Sequence, residues 1–416
     1  MTLIRYTEGV ISVLVVLTCL WYLSGALRER FWPEWPTAPS RLARIIIAVG
    51  ILVGTSEVLG TVRLFRLLPL IGAIVALSAV VMAIRRLRRS PGRRWRDGPV
   101  TTGRGPVEPR EQRIGALCAV AIVAGEWGAG TINAFRTGMV NVDTLWYHMP
   151  IAAGFAQSGS VVALHNINND NVVEFYPATA ELLHAVGIVL MGSDVVSPIL
   201  NVGWLALTLY AGWCLGSRFG VGSLALMGTA VVMGGTELVA DEPGGAYNDV
   251  VGVALVLSAV ALLAWVPRRD PGPSGVAGFL IAALAAGLAL GVKYTFIFPV
   301  LALTVATLVA IPRGRRPIGA LAWSVALVTS GGLWYARNFI EVGNPLPNLH
   351  IDVGGLRLPS LPSEAAVSVW HVLGYRSVWS TYVFPALGQA YGPAWWAIWL
   401  AAGGGLLTGL AVASAR

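Results

Sequence analysis

The chain has 416 residues, of which 56% are hydrophobic and only 12% are charged. Soluble domains carry about a quarter charged residues, and the mean hydropathy here is +0.69. A water-soluble globular domain and a disordered chain are both excluded. The formal net charge of +8 is concentrated: Arg85 to Arg113 holds ten Arg against Asp97, Glu108 and Glu111, a local net of +7.

Apolar runs predict an all-α polytopic membrane protein of about eleven transmembrane helices. They lie over about 8–26, 42–60, 66–85, 114–132, 196–215, 221–240, 246–266, 275–292, 294–311, 317–335 and 393–413. A β-barrel would show alternating polar and apolar residues instead. The first run is followed by Arg28 and Arg30 and lacks an Ala-x-Ala site, so it reads as a retained span rather than a signal peptide. The sequence divides into a three-span module (1–85), a basic linker (86–113), a membrane core (114–350) and an outer loop with a last span (351–416).

Arginine placement orients these spans. The 85–113 segment reads as cytoplasmic rather than as a nucleic-acid site, with contact to anionic lipids. Arg28, Arg30, Arg41 and Arg44, the pair Arg268-Arg269, and Arg313 to Arg316 belong on the same side. Residues 133–195, 240–246, the turn around Lys293 and 337–392 then face the other side, as does the N-terminus. Residues 178–192 (ATAELLHAVGIVLMG) break the parity if they cross. They carry Glu181 and His184 and are only about 15 residues long, which predicts a re-entrant or juxtamembrane helix. Cys19, Cys118 and Cys214 sit in apolar runs and read as small core residues, not as a disulfide or metal set.

Five outer segments hold candidate chemistry. In VDTLWYHMP, Asp143 is a general-base candidate beside Trp146, Tyr147 and His148, or simply a solvated loop acid with interfacial aromatics. The stretch HNINNDNVVEFYPATAE (165–181) offers Asn168, Asp170, Glu174 and Tyr176 to sugar hydroxyls or to a divalent cation, or is an exposed turn. In ELVADEPGGAYND, Asp249 sits at the mouth of a span, as a functional acid or as a helix cap. Lys293 is the one Lys in a chain of twenty-eight Arg, and either holds a phosphate or snorkels at a helix end. WYARNFIEVGNPLPN brings Arg337 and Asn338 to the outer end of a span, with a turn at Asn344-Pro345. Glu57 and Glu126 lie within apolar runs and receive no role.

Together these segments resemble the GT-C superfamily of integral-membrane glycosyltransferases. The likeness is to the bacterial branch related to protein O-mannosyltransferases and the aminoarabinose transferase of lipid A. It rests on VDTLWYHMP with FAQSGSV, then FYPATAELLHAVGIVLMGSD, AYNDVVG, GLALGVKYTF and WYARNFIEVGNPLPN, in that order over about 140–350. The resemblance implies a polyprenyl-phosphate sugar donor, an acceptor hydroxyl on a glycan, lipid or protein, an extracytoplasmic site and inversion at the anomeric carbon. It implies Asp143 as base and Lys293 and Arg337 as phosphate clamps, with Tyr147, His148, Glu174, Tyr176, Asp249 and Asn338 around the substrate. Three spans precede the first loop where the better-known members have one, and a lone Asp143 followed by Thr144 replaces the acidic pair of some relatives. A Mg or Mn ion, if bound, would fall to Asp143 and Asp249. The other classes weighed are a flippase for lipid-linked saccharides and a non-catalytic membrane protein. The first needs charge lining a path through the bilayer and symmetric halves, but here the charge gathers on one face.

Overall fold

The computed structural model describes residues 3–33, 35–87, 108–164, 172–266, 273–311, 314, 316–361 and 372–414. The chain is an all-α, membrane-embedded protein. Among the described residues, five helices are long and apolar enough to cross a bilayer: α1 (Leu3–Phe31), α2 (Thr37–Thr61), α3 (Leu67–Leu87), α4 (Arg110–Thr137) and α7 (Ser197–Ser217). The shortest of these has 21 residues, and at about 1.5 Å per residue that matches a hydrocarbon core of about 30 Å. Between α4 and α7 come α5 (Met149–Ser158) and α6 (Thr179–Met191).

Five further expected spans are shorter or broken. The run 221–240 divides at Gly234-Gly235 into α8 (Gly222–Met233) and α9 (Thr236–Asp241). Two glycines give the helix no side chain to pack there and a flexible backbone. The Trp127 indole N–H donates to the freed Met233 carbonyl at 3.0 Å, so the break leaves that acceptor satisfied inside apolar surroundings. α10 (Asp249–Trp265), α11 (Pro273–Leu290) and α12 (Ile297–Ala310) follow. The run 317–335 becomes α13 (Arg316–Gly331) and α14 (Leu333–Val342), bent by 68° at Gly332; counted as one, this pair makes a sixth crossing helix. A two-residue-per-strand hairpin, β1 (Asp352–Val353) and β2 (Leu356–Arg357), turns through Gly354 and Gly355, both at positive φ. The chain then runs through α15 (Phe384–Tyr391) to α16 (Trp395–Ser414).

The first three helices share one interior with the rest. Leu42, Ile46 and Val53 of α2 are buried in the same cluster as Leu262 of α10 and Ala282 and Ala285 of α11. Outward-facing Leu68, Leu117, Phe298 and Val309 are exposed, as apolar surface turned to lipid should be. Small residues let the central helices approach closely. A Cβ on Gly331 of α13 would stand 2.0 Å from the Gly287 carbonyl oxygen of α11, and one on Gly252 of α10 would stand 1.9 Å from the Phe296 ring. At Gly331 the obstacle is backbone, which cannot rotate away. Gly331→Ala is therefore expected to destabilise the protein by about 1–3 kcal/mol, read as a lower melting temperature in detergent.

The two ends of the bundle differ. At one, Arg85 pairs with Glu29 at 2.7 Å. The Glu108 carboxylate there accepts from the Ser223 amide and hydroxyl, bonds that hold its pKa below the usual range although its partial desolvation opposes them. Tyr210 donates to the Ala38 carbonyl and Arg218 to that of Ala264 at the same end. The segments at 60–66, 138–164, 172–196, 241–249, 291–296 and 337–361 gather at the other. Residues 88–107, 267–272, 312–313 and 315, which hold much of the expected basic surface, lie outside the described residues.

Residues Thr179–Met191 form the short helix α6. Its first residue donates its amide to the Gly291 carbonyl at 2.8 Å, and its last, Met191, packs on Gly9 near the start of α1. Both of its ends thus meet helix ends at the site end of the bundle, and most of its residues are buried.

Candidate functional site

The segment that carries Asp143 is a π-turn. Thr144–His148 follows Asp143, and the Met149 amide reaches back to the Thr144 carbonyl. Pro150 has no N–H to donate into the helix, and the ladder widens here before α5 continues. Such single π-turns recur at functional sites. The turn is tied down at both ends. The Thr144 hydroxyl accepts from the Ala246 amide at 2.9 Å, and His148 Nδ1 meets Glu181 Oε1 of α6 at 2.5 Å. Asp143 is left half-exposed, with the Tyr147 hydroxyl donating to its Oδ2 at 3.4 Å.

Asp249 opens α10, where the positive end of the helix dipole favours a carboxylate. Both of its oxygens accept from Lys293 Nζ at 3.0 Å. The single lysine and the acid at the span mouth therefore form one ion pair, and it is partly open: the side chains are 33% and 42% exposed. Tyr176 stands against Tyr147 edge-on and against Tyr294. Burial raises the phenol pKa of Tyr147 and of Tyr176, and the Asp143 charge adds to both shifts. Asp241 is raised by burial and by the charges of Glu237, Asp143 and Asp249. Acids, a lysine and tyrosine rings thus share one mouth at this end of the bundle.

Other predicted ligands are placed differently. His148 is 1% exposed and turned to Glu181, so it faces the interior and not an open site. Arg337 is also buried. Its Nη2 donates to the carbonyls of Glu174 and Tyr176 and to Asn338 Oδ1, and its guanidinium lies 5.2 Å over the Trp334 ring. Desolvation lowers its pKa to about 10. Asn338 is buried too and donates to the Phe175 carbonyl at 2.7 Å. This pair therefore pins the loop that enters α6. Nε and Nη2 of Arg337 are engaged by Asn338 Oδ1 and by loop carbonyls, so the residue anchors this loop. Glu174 is half-buried in that loop. His165, Asn168 and Asp170 lie outside the described residues.

A divalent cation needs a fuller donor set than Asp143 and Asp249, and Asp249 is engaged by Lys293. Among the described residues no group of three or more His, Cys, Asp or Glu is placed to hold an ion. The described site residues alone do not form such a donor set.

Two buried carboxylates had no assigned role in the sequence. Glu242 accepts from the Asn201 amide at 2.9 Å and the Val250 amide at 3.1 Å, bracing the start of α10. Glu181, with His184 three residues on, sits on an otherwise apolar helix. That spacing on one helical face was the available signal. His184 is fully buried and its pKa is lowered to about 3 by desolvation, with the nearby His148 charge adding to it, so it stays neutral. Among the described residues Glu181 Oε2, His184 Nδ1 and Asn248 Oδ1 have no hydrogen-bond partner.

Glu242 gives a test by pH. Its pKa is raised from 4.5 to about 8, chiefly by burial, with the Asp249 charge adding to it. The folded state thus favours the neutral acid, whose stabilising share is whole below pH 4.5 and is lost as pH rises through about 8. The melting temperature should fall between those values, and Glu242→Gln should flatten that slope, as thermal unfolding across a pH series would read.

The chain matches no family model, no curated protein and no solved structure.

Proposed function

We propose that this protein is a membrane glycosyltransferase that moves a sugar from a polyprenyl-phosphate donor to an acceptor hydroxyl, with inversion. The observation that carries the reading is the shared mouth of Asp143, the Asp249–Lys293 pair and the Tyr147 and Tyr176 rings at one end of an apolar bundle. Asp143 takes the acceptor's proton as its oxygen attacks the anomeric carbon. The bond from that carbon to the phosphate oxygen breaks, and the lipid phosphate leaves with the electron pair. Lys293, partly open beside Asp249, offsets the charge that develops on the phosphate. The half-buried Tyr176 ring, backed by the buried Tyr147, offers a flat apolar face with a polar edge, suited to a pyranose. The lipid half of the donor stays in the bilayer around the bundle.

The sidedness of this reading comes from arginine. The end opposite the site carries Arg28, Arg30, Arg85 and Arg218, and excess basic residues mark the cytoplasmic side. The site then opens extracytoplasmically from a multi-pass protein of the plasma membrane. The partners are the lipid-linked donor, membrane lipids and a glycan, lipid or protein acceptor, with no nucleic acid.

The deciding experiment incubates the purified protein with a panel of polyprenyl-phosphate sugars and measures release of the lipid phosphate. Release that requires Asp143 supports the reading. No release from any donor, with candidate acceptors present, sinks it.

A further inference from the structure

The buried Glu181 carboxylate touches two segments at once. Its Oε1 meets His148 Nδ1 at 2.5 Å and accepts from the Asn248 side-chain amide at 3.4 Å. His148 closes the π-turn that presents Asp143 and Tyr147. Asn248 immediately precedes Asp249, and the same amide also donates to the Val292 carbonyl at 3.3 Å, immediately before Lys293. Asp143 and Asp249 are therefore five and one positions from groups that meet Glu181, and Lys293 follows the carbonyl that Asn248 also holds.

Glu181 is itself held firmly. Thr179, two residues earlier, donates its amide to the Gly291 carbonyl and accepts from the Trp334 indole at 2.9 Å. There is no room to slip: a Cβ on Gly291 would stand 2.4 Å from the Thr179 hydroxyl. The His148 ring is packed as well, with the Tyr147 ring 4.0 Å away and that of Tyr247 at 5.9 Å. A buried carboxylate in this setting is costly unless its bonds are used, and here they join segments that are distant in the chain.

We propose that Glu181 is a positioning residue that sets Asp143, Asp249 and Lys293 in register by holding His148 and Asn248 on one oxygen. It touches no reacting atom. Its consequence for catalysis rests on the transferase reading, whereas its consequence for geometry does not. Functional constellations need supporting groups of this kind to stay within about half an ångström of their working arrangement.

Lys293 supplies the readout, because it is the only lysine in the chain. An amine-reactive ester, followed by peptide mapping to separate the N-terminal amine, reports how firmly Lys293 is held on Asp249. The full-length protein in nanodiscs is compared as wild type, Glu181→Gln and Glu181→Met. Both variants fill the volume, and only Gln keeps an acceptor for His148 and Asn248. Met is expected to speed Lys293 labelling by about tenfold, the scale of one lost charge-assisted bond, and to lower transfer mainly through kcat. Gln is expected to stay near wild type in labelling. Asn248→Ala, which cuts the link from the other side, should speed labelling too and stands in if Met fails to fold. Gly216→Ala, at the opposite end of the bundle where a Cβ would stand 2.8 Å from the Val221 carbonyl oxygen, serves as a destabilised control and should leave labelling unchanged.

The proposal is overturned if Met and Gln label alike, if both broken variants label as wild type does, or if the control moves labelling as much as they do. Absence of transfer in the wild type would remove the glycosyltransferase reading alone; the labelling comparison would still decide the positioning role.

Discussion

Asp143→Asn is expected to abolish transfer while the protein stays folded and inserted. Asparagine keeps the size of the side chain and can still accept from the Tyr147 hydroxyl, which stands 3.4 Å from Oδ2. It cannot take a proton. A positioned general base is worth roughly 10²–10⁴-fold, so the loss should appear in kcat rather than in donor affinity. Asp249→Asn is the comparison that decides the assignment. Asp249 already holds Lys293 through both oxygens, which suits an orienting acid more than a free base. Its Asn variant should lose less, with the effect weighted towards KM. Transfer rates for the two variants, measured side by side, settle which carboxylate accepts the proton. A dead Asp249→Asn with an active Asp143→Asn reverses the assignment.

Lys293→Ala is expected to weaken donor use by about ten- to a hundredfold. A charge-assisted bond to phosphate is worth about 1.5–3 kcal/mol, and that energy appears as the same factor in kcat/KM. Lys293→Arg should recover part of the loss, since the charge is kept but the compact ammonium geometry is not. Arg337→Ala should fail in another way. It removes the donors that hold the Glu174 and Tyr176 carbonyls, so protein yield and melting temperature should drop together with activity. Unchanged kinetics in Lys293→Ala at normal yield would remove phosphate binding from its role.

The helical, membranous character of the chain was legible because it follows from composition and from the length of apolar runs. The short helix α6 was legible from a short apolar run bounded by Pro177 and Gly192. The break at Gly234-Gly235 and the bend at Gly332 were not foreseen. Hydropathy registers how apolar a window is, and glycine scarcely changes that average while it does change the backbone. At the site, the sequence pointed to Asp143, Asp249 and Lys293 as separate residues, but their pairing could not be read. Asp249 and Lys293 are 44 positions apart and meet only when α10 and α11 pack. The inward orientation of Arg337 and His148 could not be read for a related reason. A polar residue beside an apolar run can turn to solvent or to an interior carbonyl, and only the packed structure says which.

The short outer helices have a consequence for the lipid around them. α8 has 12 residues, and the apolar stretch from Tyr294 to Ala310 has 17 at most, with Phe298 and Val309 on its exposed side. At about 1.5 Å per residue these reach only about 18 and 25 Å, short of a hydrocarbon layer of about 30 Å. α1 and α4, at 29 and 28 residues, more than span it. The protein is thus an uneven inclusion, with long helices such as α1 and α4 and short lipid-facing stretches at α8 and α12. The bilayer should thin locally beside the short stretches, at a cost of fractions of a kcal/mol per ångström of mismatch. Shorter-chain lipids should gather beside them, and thicker membranes should hold this protein less well.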